Sequence, residues 1–382
     1  MKNCAVRNTS ILLLSLIIDA SSLVCAQETV TVKLGAAAPL TGGVAHQGRD
    51  SENGAKLAVE EINAKGLVVG GKKVVLDLLQ EDDAQDPRTA TQIAQMLVDE
   101  KVVAVIGHQS SGTSIAASQI YRDAGIIEIS PSATNPAYTQ QGFKTTYRMI
   151  GTDAQQGPAL AEYAAKHMGA KTMAIIDDAT AYGQGLADQV AKSAKIHDIK
   201  VVSRDASTDK TLDFRGILTK IKGENPDVIM YGGSDASGML MVKQAAQLGL
   251  RAKILSGDGM CMETMGESTG DASKNLTCSE AGLPLDMMPG GKEFKRKFEE
   301  KFKQPILSYA PFAYDAVYVV VDAMKRARST DPAKILAEMP STQYSGVIGN
   351  ISFFPNGDLK QTSISIYTFK DKKKTLVDVL KM

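Results

Sequence analysis

Short β-branched runs alternate with helix-length amphipathic stretches along most of this chain, and the alternation begins afresh after Gly151. In the first round an apolar strand over residues 30–37 ends at Pro39-Leu40-Thr41-Gly42-Gly43. A helix follows over 51–63, stopped by Lys65-Gly66, then a strand over 74–79 and a helix opened by Pro87. Strands are predicted over 102–106 and 126–129. The second round places helices near 160–168, 185–197, 214–222 and 238–248, with strands over 172–176, 200–203, 227–231 and 252–255. Strands alternating with helices of this length imply a parallel sheet covered on both faces. Two such rounds in tandem imply a bilobed α/β molecule.

Two strand-to-loop transitions of the first round carry the functional signal. One runs Val102 to Ile106 into His108-Gln109-Ser110-Ser111-Gly112-Thr113, and the other runs Ile126 to Ile129 into Ser130-Pro131-Ser132-Ala133-Thr134-Asn135. A helix predicted over 115–122 puts Ser111, Gly112 and Thr113 at its start, where unpaired N–H groups and the positive dipole end attract an anion. In open parallel sheets, ligands collect outside the carboxyl ends of the strands. Hydroxyls and N–H groups with no adjacent nucleophile–base pair are suited to holding a small carboxylate, so no catalytic role is assigned. Asp82-Asp83 and Asp177-Asp178 are read as solvated or helix-capping carboxylates at strand ends rather than a metal or acid–base site, and no cofactor is expected. His108 is read as a local bonding partner, not a catalyst.

Among 382 residues, 43 Lys+Arg balance 43 Asp+Glu and Trp is absent, which leaves neither a basic stripe nor a stacking surface for nucleic acid. Lys2 and Arg7, the apolar run 11–18 and Val24-Cys25-Ala26 form a leader predicted to be cleaved after Ala26, giving an exported chain. Cleavage removes Cys4 and Cys25 and leaves Cys261 and Cys278, which an oxidising compartment is expected to join, pinning a loop-rich surface excursion. The charge run Lys370 to Lys374 reads as a solvated hairpin tip.

The phrases PLTGGVAHQG, NGAKLAVEEINAKG, DDAQDPRTA, VIGHQSSGTS, ISPSATNP, TAYGQGLA, MYGGSD and SGDGM, in that order, resemble the periplasmic substrate-binding proteins of branched-chain amino-acid ABC transporters, of the leucine/isoleucine/valine type. The resemblance implies two doubly wound parallel-sheet lobes joined by a three-crossing hinge, 27–150 plus 283–358 and 151–282 plus 359–382, after a signal peptide over 1–26. It implies that Ser111 binds a ligand carboxylate, that Ala133 and Thr134 contact carboxylate and ammonium, that Tyr182 closes from the second lobe, and that Asp258 pairs with the ammonium. Gln47 and Ser132 are further candidates near the mouth.

Three departures from the family pattern stand out. Cysteines are absent at Gln85 and Ser110, where some members carry a disulfide. Asp258 stands where Glu is frequent, and Ser234 where a bulky aromatic is frequent, giving a roomier and more polar wall. The expected function is capture of an amino acid and its delivery to the membrane subunits of an ABC permease, by a monomer. The alternatives are a receptor of the same fold for an amide, urea or aromatic acid, or a sensory ligand-binding module.

Overall fold

A computed structural model describes Met1 and residues 28–382; the leader expected over 1–26 therefore lies, apart from Met1, outside the described residues. The first half builds β1 (Thr29–Ala38), α1 (Ala45–Lys65), β2 (Leu67–Val69), β3 (Lys72–Asp82), α2 (Pro87–Asp99), β4 (Ala104–Gly107), α3 (Ser111–Ala124), β5 (Ile127–Ser130), α4 (Ala137–Gln140) and β6 (Thr146–Arg148). These strands form one sheet in the order β2-β3-β1-β4-β5-β6, parallel throughout except for the β2–β3 hairpin. β4 and β5 are buried along their whole length, as expected of parallel strands covered on both faces.

The second half builds α5 (Asp153–His167), β7 (Thr172–Asp177), α6 (Ala181–Ile196), β8 (Lys200–Ala206), α7 (Arg215–Glu224), β9 (Val228–Gly232), α8 (Asp235–Gln247), β10 (Lys253–Ser256), α9 (Thr264–Thr269) and β11 (Leu276–Glu280). The chain then returns to the first sheet's helical layer with α10 (Gly291–Phe302) and α11 (Ala310–Ala327), which pack against α1. After α12 (Pro332–Glu338) and the short pair β12 (Tyr344–Ser345) and β13 (Asn350–Ile351), it rejoins the second sheet as β14 (Ser363–Lys370) and β15 (Lys373–Lys381). The second sheet runs β15-β14-β11-β10-β9-β7-β8, with β14 and β15 antiparallel. The chain thus passes between the two layered bodies three times, the connection expected of a three-crossing hinge.

Close packing of α11 on α1 has a clear local cause. A Cβ on Gly54 would sit 2.1 Å from the Ala310 carbonyl oxygen, so only glycine allows the approach. One turn earlier, buried Asp50 accepts the backbone N–H groups of Leu307, Ser308, Tyr309 and Ala310 at 2.7–3.0 Å and caps α11 from outside. That cap fixes Tyr309.

The structure departs from the sequence reading at several points. α3 begins at Ser111 rather than 115, and α6 at Ala181 rather than 185, so the hydroxyl-bearing residues and Tyr182 belong to first helical turns. Cys261 and Cys278 are bonded, with Cα atoms 5.4 Å apart, but both are fully buried. Cys278 lies within β11, so the bridge ties the second sheet to the loop after β10 instead of pinning a surface excursion. Lys374 is not a solvated tip: its Nζ reaches Glu280 at 2.6 Å with the side chain mostly covered. Asp83, too, is buried rather than solvated, and holds His108 Nδ1 at 2.8 Å.

Candidate functional site

The carboxyl ends of β3, β4 and β5 from one sheet, and of β7, β9 and β10 from the other, face a common cleft of about 570 Å³. Of the residues expected at the site, Gln47, Ser111, Ser132, Tyr182, Ser234 and Asp258 all line it.

At one end stands the N-terminus of α3. Its N-cap, Ser110, is extended and makes no side-chain cap, and the N–H groups of Ser111, Gly112 and Thr113 have no partner among the described residues. Ser111 Oγ accepts the Asn135 N–H at 3.2 Å, which leaves its proton available. Ser132 Oγ–H donates to the Gln109 carbonyl at 2.8 Å, and Gln109 Oε1 accepts from Ser51 Oγ at 2.9 Å. Fourteen residues of helix behind an uncapped first turn, with a hydroxyl beside it, present donors suited to an anion.

Ala133 and Thr134 do not line the cleft; both are fully buried behind it. The Ala133 N–H donates to Ser130 Oγ at 2.9 Å and its carbonyl accepts from Arg148 Nη1. The Thr134 carbonyl accepts the Asp153 N–H at 2.8 Å. The Ala133 backbone and the Thr134 carbonyl are thus engaged within the protein, whereas the buried Thr134 hydroxyl has no hydrogen-bond partner among the described residues. Buried Arg148 holds the loop from behind through Ala133, Asn135, Thr139 and Asp358, so the loop presents Ser132 rather than its next two residues.

At the other end stands Asp258, 4% exposed. Its Oδ1 accepts from Gln156 Nε2 at 2.8 Å and Tyr182 Oη at 3.1 Å, and its Oδ2 from Tyr309 Oη at 2.9 Å. Tyr182 Oη also accepts the Gly259 N–H at 2.9 Å. Burial raises the Asp258 carboxyl above its ordinary range, and the donors Gln156, Tyr309 and Tyr182 pull it back toward the charged form. Beneath it, buried Asp153 is pushed up to about 8, first by desolvation and then by the negative charge of Asp258.

Three side-chain bonds cross the cleft mouth. His46 Nε2 and Gln47 Nε2, from the first turn of α1, reach Asp235 Oδ2 and Oδ1, both at 2.8 Å, at the start of α8. Asn135 Nδ2 donates to the Ala181 carbonyl at 2.6 Å. Sequence reasoning missed Tyr309, Gln156, Gln109 and the His46–Asp235 pair. Each depends on long-range approach, and only Pro311, which marks the start of α11, offered any hint near Tyr309.

An anion site and a carboxylate in one cavity can hold a zwitterion at both ends, each through charge-assisted bonds. His108, the imidazole nearest to the anion site in sequence, bonds Asp83 and Tyr121 Oη (3.1 Å) and is fully buried, outside the cleft lining.

Residues 31–374 match the family model described as periplasmic binding protein. The chain is 33% identical over 350 residues to the leucine-, isoleucine-, valine-, threonine- and alanine-binding protein of Pseudomonas aeruginosa, covering 91% of this chain and 92% of the relative. The solved leucine-binding protein LivK of Thermotoga maritima superposes with a TM-score of 0.84 at 30% identity, covering 91% of this chain and 98% of that one. LivJ of Streptococcus pneumoniae in complex with isoleucine gives 0.82 at 27% identity, covering 92% and 100%. The chain belongs to the periplasmic binding protein family.

Proposed function

We propose that this chain is a periplasmic solute receptor that captures an α-amino acid between two lobes and delivers it, closed, to the membrane subunits of an ABC permease. The observation that carries the reading is the pairing, in one cleft, of the uncapped α3 N-terminus beside Ser111 with the buried carboxylate of Asp258. Ser111 Oγ and the free N–H groups take the ligand carboxylate, while Asp258, framed by Tyr182 and Tyr309, takes the ammonium. The names of the relatives, which bind aliphatic amino acids, support the same class. The function is binding rather than turnover.

The lobes 27–150 plus 283–358 and 151–282 plus 359–382 move as bodies about the three crossings. Ligand bonds to both lobes favour the closed arrangement, because only differential affinity shifts such a balance. The leader over 1–26 directs export, and the mature chain acts as a monomer without cofactor. Among the described residues no helix is long and apolar enough to cross a membrane, so the permease supplies the pore. Native mass spectrometry of freshly purified protein tests the reading. One bound mass matching an amino acid, displaced by added amino acids, is the expected result; a chain that neither carries nor takes up any amino acid overturns it.

A further inference from the structure

The cleft contains a second uncapped helix start. α8 is 13 residues long, its N-cap Ser234 makes no side-chain cap, and the Ser234 hydroxyl is buried with no hydrogen-bond partner among the described residues. Ser234 lines the cleft and is 6% exposed. Two strands' width away from Asp258, at the end of β7, Asp178 also lines the cleft. Its Oδ1 accepts the Thr180 N–H (3.0 Å) and Oγ–H (2.6 Å), whereas its buried Oδ2 has no partner. A buried polar atom left without a hydrogen bond is costly, so two such atoms at one wall call for a ligand group that completes them.

Each class of amino-acid side chain meets this wall differently. An aliphatic side chain leaves both atoms unsatisfied. An anionic one is repelled by Asp178, Asp235 and Asp258. A cationic one is drawn to those carboxylates and can donate to Asp178 Oδ2, but it offers no acceptor to the N–H groups at the start of α8. A carboxamide offers an acceptor to Ser234 Oγ–H and the α8 N-terminus, and a donor to Asp178 Oδ2.

Building on the amino-acid reading above, we propose that Ser234 and Asp178, with the N-terminus of α8, form a side-chain subsite, and that the ligand is an α-amino acid bearing a carboxamide.

Calorimetric titration of the mature chain, freed of bound solute by unfolding and refolding, tests this with glutamine, asparagine, leucine and glutamate. The wild-type chain is expected to bind at least one amide about tenfold more tightly than leucine or glutamate. Ser234→Ala lowers the amide-to-leucine affinity ratio about tenfold, Ser234→Thr keeps it, and Ser234→Leu inverts it. Leucine bound as tightly as either amide by the wild-type chain, or a ratio unmoved in Ser234→Ala, overturns the subsite while leaving an amino-acid receptor in place. Failure of all four ligands overturns the amino-acid reading as well.

Discussion

Tyr309 Oη donates to Asp258 Oδ2 at 2.9 Å, joining the segment that enters α11 to the loop that follows β10. The tyrosine owes its position to Asp50, whose carboxylate takes four successive N–H groups of that segment. The carboxylate proposed for the ammonium is thus held partly by a residue 51 positions away in sequence, at the entry to α11. Asp258→Asn is expected to weaken amino-acid binding about 100-fold, the loss of a charge-assisted bond to a buried cation. Tyr309→Phe keeps the charge and removes one donor, so a loss of about tenfold is expected. Titration calorimetry separates the two, and Asp258→Asn within twofold of wild type would remove Asp258 from the ammonium site.

His46 of α1 and Asp235 of α8 bond at 2.8 Å across the cleft mouth, a contact that opening of the cleft would break. The bond to Asp235 raises His46 above its ordinary value; desolvation opposes this, and the charges of Asp235 and Asp50 add to it. In an open state the imidazole returns toward about 6.5. Closing therefore takes up a proton between that value and the raised one. Its contribution is complete below about 6.5 and is lost as pH rises through the closed-state value. Ligand affinity is expected to fall across this window, and His46→Gln is expected to flatten the fall. An identical pH profile for the two proteins would show that the pair does not gate closure.

The alternation of strands and helices was legible because parallel strands buried on both faces leave unbroken β-branched runs such as Val103 to Ile106 and Ile126 to Ile129. Helix starts were less legible. Ser111 to Ser114 are weak helix formers, and Gly183 and Gly185 interrupt the stretch after Ala181, yet both segments form first helical turns. β15 was missed because it is an exposed edge strand whose apolar residues Leu376, Val377, Val379 and Leu380 are broken by Asp378 and flanked by lysines. At the site, hydroxyls and charges next to strand ends could be read from order alone. Tyr309 and Gln156 could not, since each lies in an element far from Asp258 in sequence and reaches it only through the tertiary fold.

The bridge between Cys261 and Cys278 spans 17 residues that include α9. Closing a loop of that length restricts the unfolded chain by about 3 kcal/mol. The double variant Cys261→Ala, Cys278→Ala is expected to lose about that amount or somewhat more, because both side chains are fully buried and their removal leaves space in the core. Urea unfolding of the two proteins measures the difference. A midpoint unchanged from wild type would mean that the loop is already restrained in the unfolded chain.

Asp153 gives a stability signature of opposite sign to that of most carboxylates. It is fully buried, its Oδ1 meets Gln156 Nε2 at 3.3 Å, and its Oδ2 has no partner among the described residues. Desolvation, together with the charge of Asp258, pushes it up to about 8, whereas an unfolded aspartate titrates near 4. Between these values the folded chain holds a proton that the unfolded chain has released. Stability therefore falls as pH rises through the window, by up to about 1.4 kcal/mol per pH unit for this group. Asp153→Asn keeps the shape and cannot ionise. Measured by urea unfolding from pH 5 to 8, the variant is expected to gain on the wild-type chain as pH rises. A difference independent of pH would mean that Asp153 is already charged at pH 5, with a cation or unseen donor beneath the cleft to hold it.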